Sequence, residues 1–405
     1  MANQKQVANA AQRAAQQQQA NNTFMGLSYE QPYSALAQNG NSYVPGQTLN
    51  FDCPVIPGGY ATRIVLSVNL TVTNTPGTGS IALNAGGIWN VINQINVKFG
   101  ETQISVHPYA EYVFGLMRGY STIPGGAGQT LGNQVANIQN ILYSAPSVAA
   151  GAQTWKFDIE IPLNSVHPIS VNGLLPLGQT GTKAQVQVIP ATSFTGADPL
   201  LNVCALTGNA TQSVTGSVSC TAMVRDFKSL ATVTPVEPDL GGLATVQTIK
   251  PQEINPLTAG SYNFKTLSNP YPLVRYLIIL IDGNSSSTFC AATNINGYEL
   301  DQAENTNSAF FRHDLTTGGI GRYFAEVRRR FGQDMPEGVL VFDAPSMNQS
   351  DPMNGGGNNF LNLTSQGYPA ARWGANVGSV SNANGITPRA VMYATVINPA
   401  GISIV

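Results

Sequence analysis

Ala61-Thr-Arg-Ile-Val-Leu-Ser-Val-Asn-Leu-Thr-Val-Thr73 and Leu273-Val-Arg-Tyr-Leu-Ile-Ile-Leu-Ile281 read as long apolar strands, and each is succeeded by segments of the same kinds in the same order. After the first lie a polar strand-like stretch, Ile95 to Ile104, an aromatic helix candidate, Tyr109 to Arg118, a strand, Trp155 to Pro162, and a strand ending in proline, Ala184 to Pro190. After the second lie Gly297 to Leu300, Arg322 to Arg328, Gly338 to Asp343, and Ala390 to Pro399. Turns such as Pro57-Gly58-Gly59, Pro76-Gly77 and Pro124-Gly125-Gly126 punctuate these segments, as in a sandwich or barrel. Two copies of one β-rich unit, each of ordinary domain size, fit 405 residues better than a single fold.

The expected organisation is an arm and connector over 1–44, a first unit over 45–235 and a second over 236–405, with a proline-rich linker at Thr234 to Gly242. Long loops are expected at 283–297 and 346–388. Pro108, after His107, suits the first position of a helix, and Gly321 to Phe331 offers a helix at the corresponding place in the second unit. One loop helix per sandwich favours a jelly roll over an immunoglobulin-like domain.

Composition narrows the function. Charged residues make up 10% of the chain, against about 25% in an average soluble domain, so the surface must be largely neutral and polar. Charge repulsion protects such a surface poorly from association, which suits a chain covered by copies of itself. A net charge of −2 argues against a general nucleic-acid binder, which needs a basic stripe to displace counterions. Leu273 to Ile281 contains Arg275 and is far shorter than the roughly 20 residues that span a bilayer. Residues 1–22, rich in glutamine and alanine, lack the apolar segment of a signal peptide. Their only charged side chains, Lys5 and Arg13, are both positive, and the stretch is too poor in large apolar residues to order itself without a neighbour.

No constellation of catalytic groups stands out. His107, His167 and His313 lie in different elements, and two of them precede proline, which biases them toward extended backbone at strand or loop ends. Glycine clusters such as Gly125-Gly126-Ala127-Gly128 lack the lysine and hydroxyl residue of a phosphate loop. Asp282-Gly283-Asn284 reads as a turn rather than a calcium loop. Cys53, Cys204, Cys220 and Cys290 have no metal-ligand spacing and read as buried thiols, with a Cys204–Cys220 bridge as the alternative. No metal, cofactor or catalytic residue is therefore assigned. The dense charge is at Glu326 and Arg328-Arg329-Arg330: on a helix, Arg322 and Glu326, Glu326 and Arg330, and Arg330 and Asp334 would be i,i+4 partners. Arg322, Glu326, Arg328, Arg329 and Arg330 are the candidate subunit-interface residues, because guanidinium groups suit interfaces through planar, multidentate bonding. A solvated helix face is the plain alternative, and phosphate binding a third.

The stretch Val327-Arg-Arg-Arg-Phe-Gly-Gln-Asp-Met-Pro-Glu-Gly-Val-Leu-Val-Phe-Asp343 resembles the helix-to-strand segment in the second barrel of the double jelly-roll major capsid proteins of tectivirus-type, membrane-containing icosahedral bacteriophages. Tyr276-Leu-Ile-Ile-Leu-Ile-Asp-Gly-Asn284, the linker from Pro235 to Pro256 and Asn398-Pro-Ala-Gly-Ile-Ser403 are similar to that family as well. The resemblance implies an all-β fold of two tandem eight-stranded jelly-roll barrels with short loop helices and an N-terminal helical arm. It further implies homotrimers of pseudo-hexagonal outline tiling an icosahedral shell assembled in the host cytoplasm. As partners it implies other copies of the chain, vertex and minor capsid proteins, and an internal viral membrane met by the arm that carries Lys5 and Arg13. It implies no sequence-specific nucleic-acid binding and no enzymatic role. The rival readings are a virion-surface or extracellular carbohydrate-binding tandem jelly roll, which would need an aromatic platform, and a β-sandwich glycosidase, for which no facing pair of carboxylates can be nominated.

Overall fold

The computed structural model describes residues 12, 15–16, 19–20, 22–24, 26–99, 102–117, 148–163, 174–178, 183–226, 245–248, 251–267, 273–283, 289–302, 305–314, 319–332, 334–343, 371–381 and 385–398. Its first half contains strands β1 (Tyr29–Ser34), β2 (Leu36–Ala37), β3 (Leu49–Asp52), β4 (Tyr60–Thr75), β5 (Ile81–Leu83), β6 (Ile92–Phe99) and β7 (Thr102–Val106). Helix α1 (Pro108–Met117) comes next, then β8 (Gly151–Pro162), β9 (Leu175–Pro176), β10 (Ala184–Pro190), β11 (Cys204–Leu206) and β12 (Thr211–Asp226). The second half contains β13 (Thr245–Thr248), β14 (Gln252–Ile254), β15 (Tyr262–Thr266), β16 (Leu273–Ile281), β17 (Ile295–Gln302) and β18 (Asn305–Asp314). Helix α2 (Gly319–Phe331) leads into β19 (Val339–Asp343), β20 (Ala371–Val377) and β21 (Arg389–Asn398).

Sheet order shows the repeat. The first half pairs strands as β1-β12-β4-β8 and β2-β3-β10-β6-β7, and the second as β13-β21-β16-β19 and β15-β20-β17-β18. With β2, β5, β9 and β11 set aside, and β13 and β14 counted as one interrupted strand, each half has eight strands in two sheets of order 1-8-3-6 and 2-7-4-5. That is the jelly roll, present twice. In both halves the loop helix joins strand five to strand six, and α1 begins at Pro108 as the sequence implied.

Each barrel buries one face of each sheet. Along β4, Ile64, Leu66, Leu70 and Val72 point into the first core and are fully buried, each worth about 1.5–3 kcal/mol of transfer free energy. Trp155, Phe157, Ile159 and Ile161 on β8 pack beside them. In the second barrel Tyr276 stacks on Phe342 at 5.1 Å and Tyr298 meets Tyr323 edge-on at 5.6 Å. Gly216 lies so close to β4 that a Cβ there would stand 2.2 Å from the Asn69 carbonyl oxygen, so β12 has a glycine where the strands press together.

Several expectations are corrected. Ala184–Pro190 is strand seven of its barrel, whereas the segment at Ala390 is strand eight; the true counterparts are β10 with β20 and β12 with β21. Pro190 closes β10 because proline cannot donate to a ladder, so a terminal proline marks a strand end and not a particular strand position. The supposed loop 346–388 contains β20, whose Ala371-Arg-Trp-Gly-Ala-Asn-Val377 has little β-branched character; it is held by Arg372 bonding to the fully buried Asp301 at 2.8 and 3.1 Å. Part of the segment read as a connector, Tyr29–Ser34, is an edge strand paired with β12. The linker at Pro235 to Gly242 falls outside the described residues. All four cysteines are free and buried, and burial pushes the Cys53 and Cys290 thiols up to about 12 and Cys204 up to about 11.

Candidate functional site

Helix α2 carries the charge cluster. Gly332, at φ 74°, ends it with an N–H bonded to the Arg328 carbonyl at 2.8 Å, the left-handed stop that favours glycine. Tyr323 and Val327, one turn apart, face the barrel, and the Tyr323 hydroxyl accepts the Val341 N–H at 2.9 Å. Arg330 pairs with Glu326, the i,i+4 partner expected. Asp334 lies past the helix end and takes Arg328 instead of Arg330, the Nε donating at 2.9 Å. Arg329 is exposed and has no ion pair among the described residues; the backbone of Arg322 is in α2, its side chain outside the described set. Beside the helix runs an open groove of about 720 Å³ with Phe324, Ala325 and Met335 among its lining and Arg328, Arg329, Asp334 and Glu337 at its charged positions.

A second constellation, absent from the sequence expectations, joins the two barrels. Asp198, after strand seven of the first barrel, forms a two-point ion pair with Arg389, the first residue of β21, at 2.7 and 3.0 Å. The side chains are 18% and 9% exposed, so this pair is largely withdrawn from water. Asp198 also accepts the N–H groups of Leu200 and Leu201 at 2.9 and 3.1 Å, which fixes its loop. His107 packs its ring 5.7 Å from Tyr393, and Tyr109 lies 5.3 Å from Phe289. The His107 Nδ1 accepts the Tyr109 N–H at 3.2 Å, capping α1, so the ring is neutral with its proton on Nε2. Burial pushes its pKa down to about 4, against an opposing interaction with the Leu200 backbone. A cavity of about 200 Å³ lies among His107, Glu253, Arg389 and Tyr393.

One signal in the sequence could have revealed this seam. Register places Leu277, Ile279, Ile281, Val339, Val341, Val391 and Tyr393 on the outer face of the β13-β21-β16-β19 sheet, and all are buried. A strand covered on both faces reads as a continuous apolar run, as β16 does from Tyr276 to Ile281, whereas β4 alternates. Arg275 is part of this covered face and lies 3.4 Å from Asp343.

The remaining sequence candidates fall elsewhere. Lys5 and Arg13 lie outside the described residues, but the arm is pinned just downstream by Phe24, which is fully buried against Tyr60 at 5.3 Å. The connector tyrosines Tyr29, Tyr33 and Tyr43, which an aromatic platform for carbohydrate would use, are engaged differently: Tyr29 is about half exposed, Tyr43 is buried with its hydroxyl bonded to the Val91 carbonyl at 2.8 Å, and the Tyr33 hydroxyl, 2.5 Å from Asp226, has its pKa raised by that bond. Among the described residues no group of three His, Cys, Asp or Glu side chains could hold a metal ion.

Twin jelly rolls with matching topology define the double jelly-roll architecture of viral major capsid proteins. The chain is similar to the crystal structure of the STIV MCP at 14% identity and a TM-score of 0.58, covering 93% of this chain and 100% of that chain. It is similar to a chain in the atomic structure of Sulfolobus Turreted Icosahedral Virus at 15% identity and a TM-score of 0.56, covering 90% of each chain. Against the PBCV-1 virus capsid it reaches 9% identity and 0.51, over 92% of this chain and 94% of that one. Identities this low speak to the fold. No family model and no curated protein matches the sequence.

Proposed function

We propose that the chain is the major capsid protein of an icosahedral virus of the tectivirus type, assembling as homotrimers that tile a shell over an internal membrane. The observation that carries this reading is the pair of barrels with the same strand order, joined within one chain by a largely buried seam. A tile with two near-equivalent barrels becomes pseudo-sixfold when three copies meet around an axis, so one gene product fills sixfold positions. Subunits joined head to tail in this way close into a ring. The arm with Lys5 and Arg13 meets the membrane: each basic residue near an anionic leaflet contributes roughly 1 kcal/mol, weak alone and substantial over many copies. Vertex and minor proteins complete the shell.

The test is the mass of the purified protein by light scattering, followed by incubation with anionic vesicles. The reading expects three 42.7 kDa chains per particle and vesicle binding that weakens with salt. A monomer at high concentration would overturn the trimer, and a trimer indifferent to vesicles would overturn the membrane contact alone.

A further inference from the structure

The outer face of the β2-β3-β10-β6-β7 sheet is built almost without charge. Alternation turns Asn50 and Asp52 on β3, Gln185 and Gln187 on β10, and Gln94 and Asn96 on β6 away from the core. These side chains bond to one another: Asn96 donates to Gln187 at 2.9 Å and accepts from Gln94 and Ser105 at 2.6 and 2.8 Å, while Asp52 accepts from Gln38 and Gln185 at 2.8 and 3.1 Å. Side chains held in place this way lose little freedom when a partner arrives. At the margin, Leu36 on β2, opposite Asp52, is 69% exposed, the most exposed large apolar side chain among the described residues. The matching face of the second barrel is of another kind. On β15, Tyr262 and Phe264 are half-buried and nearly parallel, their ring centres 5.8 Å apart, and the Arg372 guanidinium lies 4.0 Å from the centre of the Phe264 ring. Gly374 on β20 makes room for this stack, since a Cβ there would stand 2.5 Å from the Phe264 ring.

We propose that these two faces meet between trimers: the Leu36 face of one copy packs on the Tyr262, Phe264 and Arg372 face of a copy in the adjacent trimer. The inference rests on the trimeric reading and extends it to the lattice. Within the chain the first barrel meets the second with its strand-five edge and α1, and the second receives them on the outer face of its 1-8-3-6 sheet. In a closed ring both neighbours of a barrel lie on its axis side, so the surfaces used for neighbours turn inward and the outer face of the 2-7-4-5 sheet turns away from the axis. The first-barrel face runs outward from the seam, whose cavity Gln94 and Ser105 line, to the exposed Leu36.

Symmetry selects the occupant. First and second barrels alternate around the ring, so opposite towers are unlike, and rings repeated side by side in one orientation bring a first barrel against a second barrel rather than against its own kind. The chemistry agrees. Ring faces accept an aliphatic anchor and flat amides, and each glutamine or asparagine carries both a donor and an acceptor to the contact. No unpaired charge has to leave water, because Asp52 is bonded by two amides and Arg372 by Asp301 within the chain. One leucine against two rings is weak in a single copy and substantial when repeated over a shell.

Cross-linking of two mixed trimer preparations of the full chain tests this, since the native thiols are buried. One preparation carries Leu36→Cys and the other Thr266→Cys, an exposed position beside the rings, under different tags, and a short bismaleimide is added at rising protein concentration. Linked pairs of chains bearing both tags are expected on a denaturing gel. Leu36→Cys alone, Thr266→Cys alone, and Thr266→Cys mixed with Val44→Cys, an exposed position outside the proposed contact, should give single chains. Trimers that associate without the doubly tagged pair, or that do not associate up to the highest concentration reached, overturn the contact and leave the trimer standing. Linking at equal yield through Val44→Cys, or between two Leu36→Cys chains, overturns it as well. A monomer in light scattering removes both the contact and the trimer.

Discussion

Removing the Asp198 carboxylate should cost far more than removing the Arg389 guanidinium, although the two form one ion pair. In Asp198→Ala, Arg389 keeps its charge at 9% side-chain exposure with its partner gone, and the N–H groups of Leu200 and Leu201 lose their acceptor. Breaking a buried pair from one side costs about 3–5 kcal/mol, most of it the stranded charge. In Arg389→Met, the carboxylate keeps both N–H donors and greater access to water, and the methionine buries apolar surface against the seam, so the net cost should be ~1–2 kcal/mol. The double variant should then be no less stable than Asp198→Ala alone, because the second substitution removes the stranded charge. Urea unfolding monitored by tryptophan fluorescence measures all three. If Arg389→Met proved the more damaging, or the two costs simply added, the pair would not be a buried lock between the barrels.

The same geometry sets further expectations. Stability should be flat between about pH 6.5 and about pH 8 and fall from there down to about pH 4, by about 3 kcal/mol, as the unfolded chain takes up a proton that folded His107 refuses; His107→Asn, which can still cap α1, should flatten that slope in denaturant titrations. Phe24→Ala should cost ~3–5 kcal/mol by emptying its site against Tyr60, whereas deletion of residues 2–20 should leave the unfolding midpoint unchanged and impair only particle assembly or vesicle binding. Replacing Arg328, Arg329 and Arg330 together by glutamine should lower the melting temperature of trimers; an unchanged value would return the cluster to a solvated helix face. A thiol reagent should label none of the four cysteines until the protein is unfolded.

The barrels are legible where one face is wet and the other dry. β4, β8 and β10 alternate, so sequence periodicity locates them. β12 escapes a reading by periodicity because its first six residues, Thr211-Gln-Ser-Val-Thr-Gly216, are exposed or half-buried and take their place from β4 rather than from their own propensity. β20 hides for a similar reason, its glycine and asparagine being tolerated by neighbours on both sides. The Glu326–Arg330 pair can be read from spacing alone, while the pairing of Arg328 with Asp334 depends on where Gly332 stops the helix. The seam cannot be found by motif, since Asp198 and Arg389 stand 191 residues apart in sequence and meet only when both barrels have folded. Its trace is the apolar run Tyr276 to Ile281 of β16, which does not alternate.

Electron microscopy of the purified protein, with threefold averages sharp enough to separate one barrel from the next, decides whether two barrels per chain make a sixfold tile. Six towers should ring the axis, alternating between first and second barrels. Isolated two-lobed particles, or a ring of fewer than six towers, would contradict this arrangement.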